Sequence, residues 1–271
     1  MKRKWIVELP GHIYDTKIIE DQVLLANENR VVSVDDEGKA TIIFTHDAPI
    51  YSVKKTGDAL LMAAEDKRLI IVDNNEINEV NTDFGLFSLD YKDGKAVAGG
   101  CCGALYLISD GTIVKKTNVG GHVYDVSWWS DKVLAASFDG HLYLFDSDLN
   151  FIKRVKMAEN VNTVRPCGGL VAVGTFEPGG VFVLDEDLEV VWSKGGYLDV
   201  RLVAWREGCK GLYVGSWDGV LSLYDEHGNE VLAGKGPRGV ESGDWRDGRL
   251  AVSGWGRTEL YEEEGDELGE R

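Results

Sequence analysis

Apolar and polar residues alternate in short blocks along the chain, and residues 122–155 show the pattern most clearly. Four apolar runs, at 123–128, 133–137, 142–145 and 151–155, are separated by polar residues. The pairs Ser130-Asp131 and Asp139-Gly140 are typical of tight turns, and the runs are rich in β-branched and aromatic residues. This pattern predicts a four-stranded antiparallel meander.

The same block recurs along the whole chain at intervals of 36 to 40 residues. We call the first apolar residue of each copy its anchor. The anchors are Ile13, Ile50, Leu86, Val123, Val161, Val200 and Val240. A lone four-stranded sheet leaves two apolar faces bare and must stack on neighbours, so a strand repeat of this length predicts a β-propeller. We therefore expect an all-β, seven-bladed β-propeller of four-stranded antiparallel blades.

The two ends of the repeat array predict how the ring closes. The last copy supplies only three strands, and the strand-like segment Trp5 to Leu9 precedes the first copy. We expect residues 4–9 to complete the seventh blade by pairing with Thr258 to Tyr261, which would remove two exposed sheet edges. Residues 1–262 are then one domain. Residues 263–271 are predicted to be an acidic tail that is too poor in apolar residues to pack.

Composition narrows the possible partners. The 271 residues are 44% hydrophobic and carry a formal net charge of −17, which disfavours nucleic acids and anionic membranes as partners. No window is long and apolar enough for a membrane span, and the apolar run near the start is too short for a signal peptide. We expect a cytoplasmic protein.

The four cysteines do not suggest a disulfide framework. Cys101 and Cys102 are neighbours, which strains a bond between them, and Cys167 and Cys209 stand alone in the sequence. We expect reduced thiols at all four positions. A redox or metal role for the adjacent pair is the less favoured alternative.

Two copies resemble the WD-repeat family. The segments SFDGHLYLFD (137–146) and SWDGVLSLYD (216–225) are similar to its second-to-third-strand signature, and Gly-His recurs at 11–12 and 121–122. In that family a His, a Ser, an Asp and a Trp form a hydrogen-bonded set inside each blade. Phe145 and Tyr224 stand where the Trp belongs, so we expect the full set in no blade.

Candidate chemistry is sparse. The acidic segments after the third strands, such as 146–148 and 185–187, are short enough to be turns, although a calcium loop is the alternative. The five histidines lack metal-ligand spacing and are read as turn residues. No nucleophile elbow, phosphate loop or zinc-protease motif occurs. We expect no catalytic activity, no cofactor and no metal.

Aromatic residues form the most informative pattern. The resemblance implies that residues just after each anchor, and residues just before the next turn, share one face of the ring. The post-anchor residues are Tyr14, Tyr51, Phe87, Tyr124, Asn162, Arg201 and Glu241. The pre-turn residues of the later copies are Phe138, Phe176, Trp217 and Trp255. Exposed aromatic patches usually mark contact surfaces, although core packing between blades is the alternative.

These residues lead to a functional hypothesis. We expect a non-catalytic interaction platform that binds a protein or peptide on this face, as a monomeric ring within a larger complex. The competing hypothesis is an enzyme or small-molecule binder with its site at the channel mouth, around Asn162, Arg201 and Glu241, with Asp15 and Asp125 nearby.

Overall fold

The computed structural model describes residues 1–263, apart from the side chains of residues 177 and 178, and this part of the chain forms 24 strands. The strands are β1 (Lys2–Ile19), β2 (Gln22–Asn27), β3 (Arg30–Val34), β4 (Ala40–Thr45), β5 (Ile50–Thr56), β6 (Ala59–Ala64), β7 (Arg68–Asp73), β8 (Glu76–Asn81), β9 (Leu86–Lys92), β10 (Lys95–Gly100), β11 (Ala104–Ser109), β12 (Thr112–Asn118), β13 (Val123–Trp129), β14 (Lys132–Ser137), β15 (His141–Asp146), β16 (Phe151–Lys156), β17 (Asn160–Cys167), β18 (Leu170–Leu184), β19 (Val190–Trp205), β20 (Gly211–Ser216), β21 (Val220–Asp225), β22 (Glu230–Lys235), β23 (Ser242–Arg246) and β24 (Arg249–Glu262). Short 3₁₀ helices cover Cys101–Gly103 and Glu207–Cys209, and no helix within residues 1–263 is long and apolar enough to cross a membrane.

The strands form seven antiparallel blades, which confirms the predicted fold. Blades 2, 3 and 4 are β5–β8, β9–β12 and β13–β16. Blade 5 is β17, the two halves of β18 and the first half of β19, and blade 6 is the second half of β19 with β20–β22. Blade 7 is β23, the two halves of β24 and the first half of β1, whose second half joins β2–β4 as blade 1. Each anchor therefore lies at the start of an inner strand or within two residues of it.

The chain start closes the ring as predicted. Residues Lys2 to Glu8 pair antiparallel with residues Arg257 to Glu262, so the first half of β1 is the outer strand of blade 7. The side chains of Trp5 and Val7 point into a buried cluster with Ile13 of blade 1 and Leu260 of blade 7. The predicted acidic tail lies outside the described residues except for Glu263. That carboxylate accepts hydrogen bonds from Arg206 and Tyr213 of blade 6, at 2.8 Å each.

The core lies between the blades. Within residues 1–263, buried apolar side chains form seven clusters, one at each interface between neighbouring blades. Glycines on three second strands allow the anchors of the following blades to approach closely. A Cβ on Gly99 would lie 2.4 Å from Val123 Cγ1, and a Cβ on Gly174 would lie 2.7 Å from Val200 Cγ1. Small residues at the ends of second strands are therefore a packing requirement.

The acidic segments after the third strands are turns. In four blades an aspartate side chain accepts hydrogen bonds from backbone N–H groups two and four residues later, at 2.7–3.1 Å. These residues are Asp35, Asp146, Asp185 and Asp225. Among the described residues, no group of three or more His, Cys, Asp or Glu side chains suits a metal ion. The turn reading is supported by direct hydrogen bonds.

One prediction about the cysteines is wrong. Cys167 and Cys209 form a disulfide across 42 residues, with their Cα atoms 5.8 Å apart. Cys167 is the last residue of the first strand of blade 5, and Cys209 lies in the connection after the first strand of blade 6. About one repeat length therefore separates two positions that are adjacent in the ring. Cytoplasmic location stays a prediction. This disulfide weighs against it unless the source is a hyperthermophile, because other organisms keep cytoplasmic cysteines reduced.

The closing strand provides a stability test. We expect the double substitution Trp5→Ala with Val7→Ala to lower the melting temperature by about 10 °C or more, because two side chains that are only 9% and 7% exposed leave the core. Ile6→Ala is the control, since its side chain lies between them and is 38% exposed. Equal melting temperatures for both variants would show that this strand does not close the ring.

The disulfide provides a second test. Because it closes a loop of 42 residues, Cys167→Ser with Cys209→Ser should lower the free energy of unfolding by about 4 kcal/mol. Denaturant unfolding measures the change, and the reduced wild-type protein should match the variant. The control is Cys101→Ser with Cys102→Ser, which leaves this disulfide intact. A wild-type protein whose stability is insensitive to reductant would contradict the bond.

Candidate functional site

The seven post-anchor residues surround one mouth of the central channel. All seven are partly exposed and line a single cavity of about 850 Å³. In six blades the residue is the extra member of a β-bulge, because the register shifts by one residue directly after the anchor. A bulge leaves the extra residue unpaired and redirects its side chain. The bulge thus turns this side chain toward the channel mouth in each of these blades.

Aromatic rings form a continuous arc along one part of this mouth. Ring centroids are 4.7 Å apart for Tyr14 and Tyr51, 5.4 Å for Tyr51 and Phe87, and 5.7 Å for Phe87 and Tyr124. At one end Phe138 lies 5.6 Å from Tyr124. These spacings are those of favourable aromatic pairs.

The other end of the arc runs through a histidine to two tryptophans. The His12 ring lies 5.9 Å from Tyr14 and 5.9 Å from Trp255, and Trp255 lies 5.3 Å from Trp217. His122 contacts Phe87, Tyr124 and Phe138. We call the set of Trp217, Trp255, His12, Tyr14, Tyr51, Phe87, Tyr124, His122 and Phe138 the aromatic arc. Phe138 and Trp255 are 43% and 47% exposed.

Polar side chains of Asn162, Arg201 and Glu241 occupy the rest of the mouth. We call these three residues, together with the buried Asp199 that Asn162 and Arg201 contact, the polar sector. Arg201 Nε donates to Asp199 Oδ2 at 2.7 Å, and its Nη1 donates to Glu241 Oε2 at 3.3 Å. Asn162 Nδ2 also donates to Asp199. Burial raises the pKa of both carboxyls, and Arg201 opposes that shift. The guanidinium thus holds two desolvated carboxylates within the opening.

The predicted partner-binding residues are thus only partly brought together. All seven post-anchor residues share the mouth, and Phe138, Trp217 and Trp255 join it through the arc. Phe176 joins no ring pair among the described residues. Their role in binding a partner stays a prediction.

Sequence reasoning missed His12 and His122 as parts of this surface, and Asp199 as the buried partner of Arg201. The two Gly-His pairs are a usable signal for these histidines, although the pattern alone predicts turn residues. His122 does stabilise a turn, since its Nδ1 accepts the Cys102 N–H at 3.0 Å. Asp199 directly precedes the anchor Val200, a position that carries no distinguishing pattern in the sequence.

Asp15 and Asp125 line the same cavity but bind neighbouring blades. Asp15 Oδ2 accepts the Val53 N–H of blade 2 at 3.0 Å, and Asp125 Oδ2 accepts the Val164 N–H of blade 5 at 2.9 Å. Asp90 and Asp244 bind the inner strands of the following blades in the same way, at 2.9 Å each. These carboxylates join adjacent inner strands and are already engaged by their donors.

Solved structures similar to this chain cover almost its full length. The WD40 β-propeller domain of Doa1 matches 97% of this chain and 97% of its own, with a TM-score of 0.86 and 16% identity. A chain in the mitotic checkpoint complex matches 96% of this chain and 91% of its own, with a TM-score of 0.87 and 14% identity. The fold is WD40-like.

The likeness concerns the fold alone at these identities. The computationally designed Ika8 protein also matches, over 97% of this chain and 100% of its own, with a TM-score of 0.77 and 14% identity. No protein-family model matches the sequence, and no curated protein sequence matches it at a significant level.

The His, Ser, Asp and Trp hydrogen bonds of the WD-repeat family are partly replaced here by hydrogen bonds of other residues. In blade 4, Asp139 Oδ2 accepts the Tyr143 hydroxyl at 2.5 Å, although Phe145 stands at the tryptophan position. Elsewhere His46 Nε2 lies 2.9 Å from Asp66 Oδ2. A histidine that the Gly-His pattern did not include therefore supplies a His–Asp contact.

The carboxylate of Asp15 links stability to pH. Burial raises the pKa of this carboxyl, but Lys17 and the backbone N–H of Val53 outweigh burial, so that the pKa lies below its usual range. Its ionised form therefore stabilises the fold above the ordinary pKa of about 4, and the contribution is lost as the pH falls through the lower folded-state pKa.

We expect Asp15→Asn to lower the free energy of unfolding by about 2 kcal/mol at pH 7, because charged hydrogen bonds from blades 2 and 7 are weakened. The deficit should shrink at pH 3. Chemical unfolding at both pH values measures it, with Asp58→Asn at an exposed position as the control. A deficit that is equal at both pH values would contradict this role of the ionised carboxylate.

Proposed function

We propose that this WD40-like propeller is a non-catalytic platform that binds a protein or peptide on the aromatic arc. The observation that carries the proposal is the unbroken run of partly exposed rings from Trp217 to Phe138. Aromatic side chains dominate binding energy at protein interfaces. A closed ring holds them in place before binding, so that little ordering free energy is spent.

The charges beside the arc favour a basic ligand. Glu28 and Glu65 follow the second strands of blades 1 and 2, and the Tyr51 hydroxyl donates to Glu65 Oε1 at 3.3 Å. Burial, with Glu65 and Tyr14 nearby, raises the pKa of Tyr51 to about 12, so its phenol is neutral at pH 7. Arg201 is paired with Asp199 and Glu241 and does not neutralise these two glutamates. Lysine and arginine side chains gain both from ring faces and from carboxylates.

A small molecule in the channel mouth is the second candidate ligand. The cavity of about 850 Å³ lies between the aromatic arc and the polar sector, and such mixed lining suits a ligand with one apolar and one polar side. Binding of this kind would depend on Arg201 and Glu241, whereas the peptide proposal depends on the rings. The working form that we propose is a monomeric ring within a larger complex, with neither nucleic acid nor membrane as its partner.

Peptide selection on the immobilised protein tests the first proposal. We expect a displayed random library to be enriched in basic sequences, and the selected peptides to bind about tenfold more weakly to Tyr124→Ala with Trp217→Ala, since interface aromatics are energetic hot spots. Fluorescence polarisation measures the affinity. Phe151→Ala is the control, because this ring is 59% exposed on the outer strand of blade 4.

Three outcomes separate the candidates. Enrichment of acidic peptides, or wild-type affinity in the Tyr124 and Trp217 variant, would contradict the platform. Arg201→Gln with Glu241→Gln should leave the affinity for the selected peptides unchanged. Loss of a small-molecule ligand in that variant, with peptide binding absent from the wild type, would favour the second candidate.

A further inference from the structure

Cys101 and Cys102 lie on the same face as the aromatic arc. They occupy the connection between the second and third strands of blade 3, in the short helix Cys101–Gly103. Cys101 directly follows β10, as Phe138 follows β14 in blade 4. Cys167 and Cys209 are joined to each other, so these two are the free thiols of the chain.

The turn holds the two sulfur atoms together. Cys101 Sγ lies 3.1 Å from Cys102 Sγ, and Cys102 adopts a left-handed backbone conformation with φ of 60°. Hydrogen bonds fix the backbone at both positions. The Cys101 N–H donates to Gly85 O at 2.9 Å, and the Cys102 N–H donates to His122 Nδ1 at 3.0 Å. A bond between neighbouring cysteines is strained, but this turn already holds the two sulfurs close to each other before any reaction.

The two thiols differ in accessibility. Cys102 is exposed, whereas Cys101 is partly buried. The hydrogen bond with Cys102, together with burial, raises the pKa of the Cys101 thiol. A reagent in solution therefore meets Cys102 first, and Cys101 is placed to react in a second, intramolecular step.

We propose that Cys101 and Cys102 form a vicinal dithiol site that exchanges with low-molecular-weight disulfides. The Cys102 thiolate attacks one sulfur of the small disulfide, forms a mixed disulfide and releases one small thiol. Cys101 Sγ, as its thiolate, then attacks Cys102 Sγ and expels the second small thiol. The products are a Cys101–Cys102 disulfide and two small thiols, so the small disulfide takes up the two electrons and the two protons.

This site is independent of the proposed peptide platform, because its chemistry requires no ligand on the arc. Its position nevertheless places oxidation next to the platform. His122, which accepts the Cys102 N–H, has its ring 5.9 Å from Phe87 and 6.3 Å from Tyr124. A change in the backbone of this turn would therefore alter the contacts that His122 makes with the arc.

Oxidised glutathione tests the exchange. The folded protein is incubated with it, free thiols are alkylated, and proteolytic peptides are weighed by mass spectrometry. The peptide containing Cys101 and Cys102 should lose two hydrogens, without alkylation and without bound glutathione. Cys101→Ser should stop at a mixed disulfide on Cys102, and Cys102→Ser should react much more slowly. Wild-type protein that accumulates the mixed disulfide, or that stays fully alkylated, would overturn the proposal.

A trivalent arsenical gives a second readout that does not depend on oxidation. Phenylarsine oxide should bind the wild-type protein one to one through both sulfurs, and each single serine variant should bind it about 100-fold more weakly because chelation is lost. Cys167→Ser with Cys209→Ser should retain wild-type binding, which excludes the other cysteine pair as its origin. Equal affinity in wild-type protein and the single variants would overturn the proposal.

Discussion

The pairing of residues 2–8 with residues 257–262 is the interaction on which the rest of this structure depends. It puts the beginning and the end of the repeat array into one sheet, so that blade 7 has four strands and no blade leaves a face bare. Each interface between blades then buries one apolar cluster. In a closed ring the seven inner strands stand around one channel, and equivalent residues reach the same level. The aromatic arc exists only because of that equivalence.

Two local features of the inner strands, their bulges and their carboxylates, shape the mouth of the channel. In six of the seven blades, a bulge after the anchor directs one side chain toward the mouth. Below them, carboxylates such as Asp15 and Asp125 accept backbone N–H groups of the next blade. These hydrogen bonds satisfy donors that a simple sheet would leave unpaired at the channel wall. Neighbouring blades are thus held in register close to the surface that we propose binds a partner.

The mouth is divided into two chemically different parts. The rings offer apolar area and π faces, and the polar sector places one guanidinium between two carboxylates. Cysteines add a different chemistry at two places on the ring. One pair is joined between blades 5 and 6, and the other remains as adjacent thiols beside the arc. The same residue type thus serves as a cross-link at one site and as the proposed exchange site at the other.

Much of the fold could be predicted from the sequence, because strands, tight turns and the repeat length are signals carried by neighbouring residues. The four aspartate turns followed from local composition. The closing strand followed because the last copy has only three strands and an additional strand precedes the first copy. The candidate site was predicted less completely. Tyr14, Tyr51, Phe87 and Tyr124 were found because they recur at one position of the repeat, whereas His12, His122 and Asp199 were not found as parts of it.

By itself, the sequence determined the seven blades, their order, the closing strand and the row of residues after the anchors, since each follows from the repeat of apolar and polar segments along the chain. Only the tertiary structure decided which side chains meet across blades. The disulfide of Cys167 with Cys209, the contacts of His12 with Trp255, and the pairing of Arg201 with Asp199 and Glu241 are of this kind. Most of these partners lie in different blades. Their distances depend on the radius and tilt of a closed ring, which no stretch of neighbouring residues encodes.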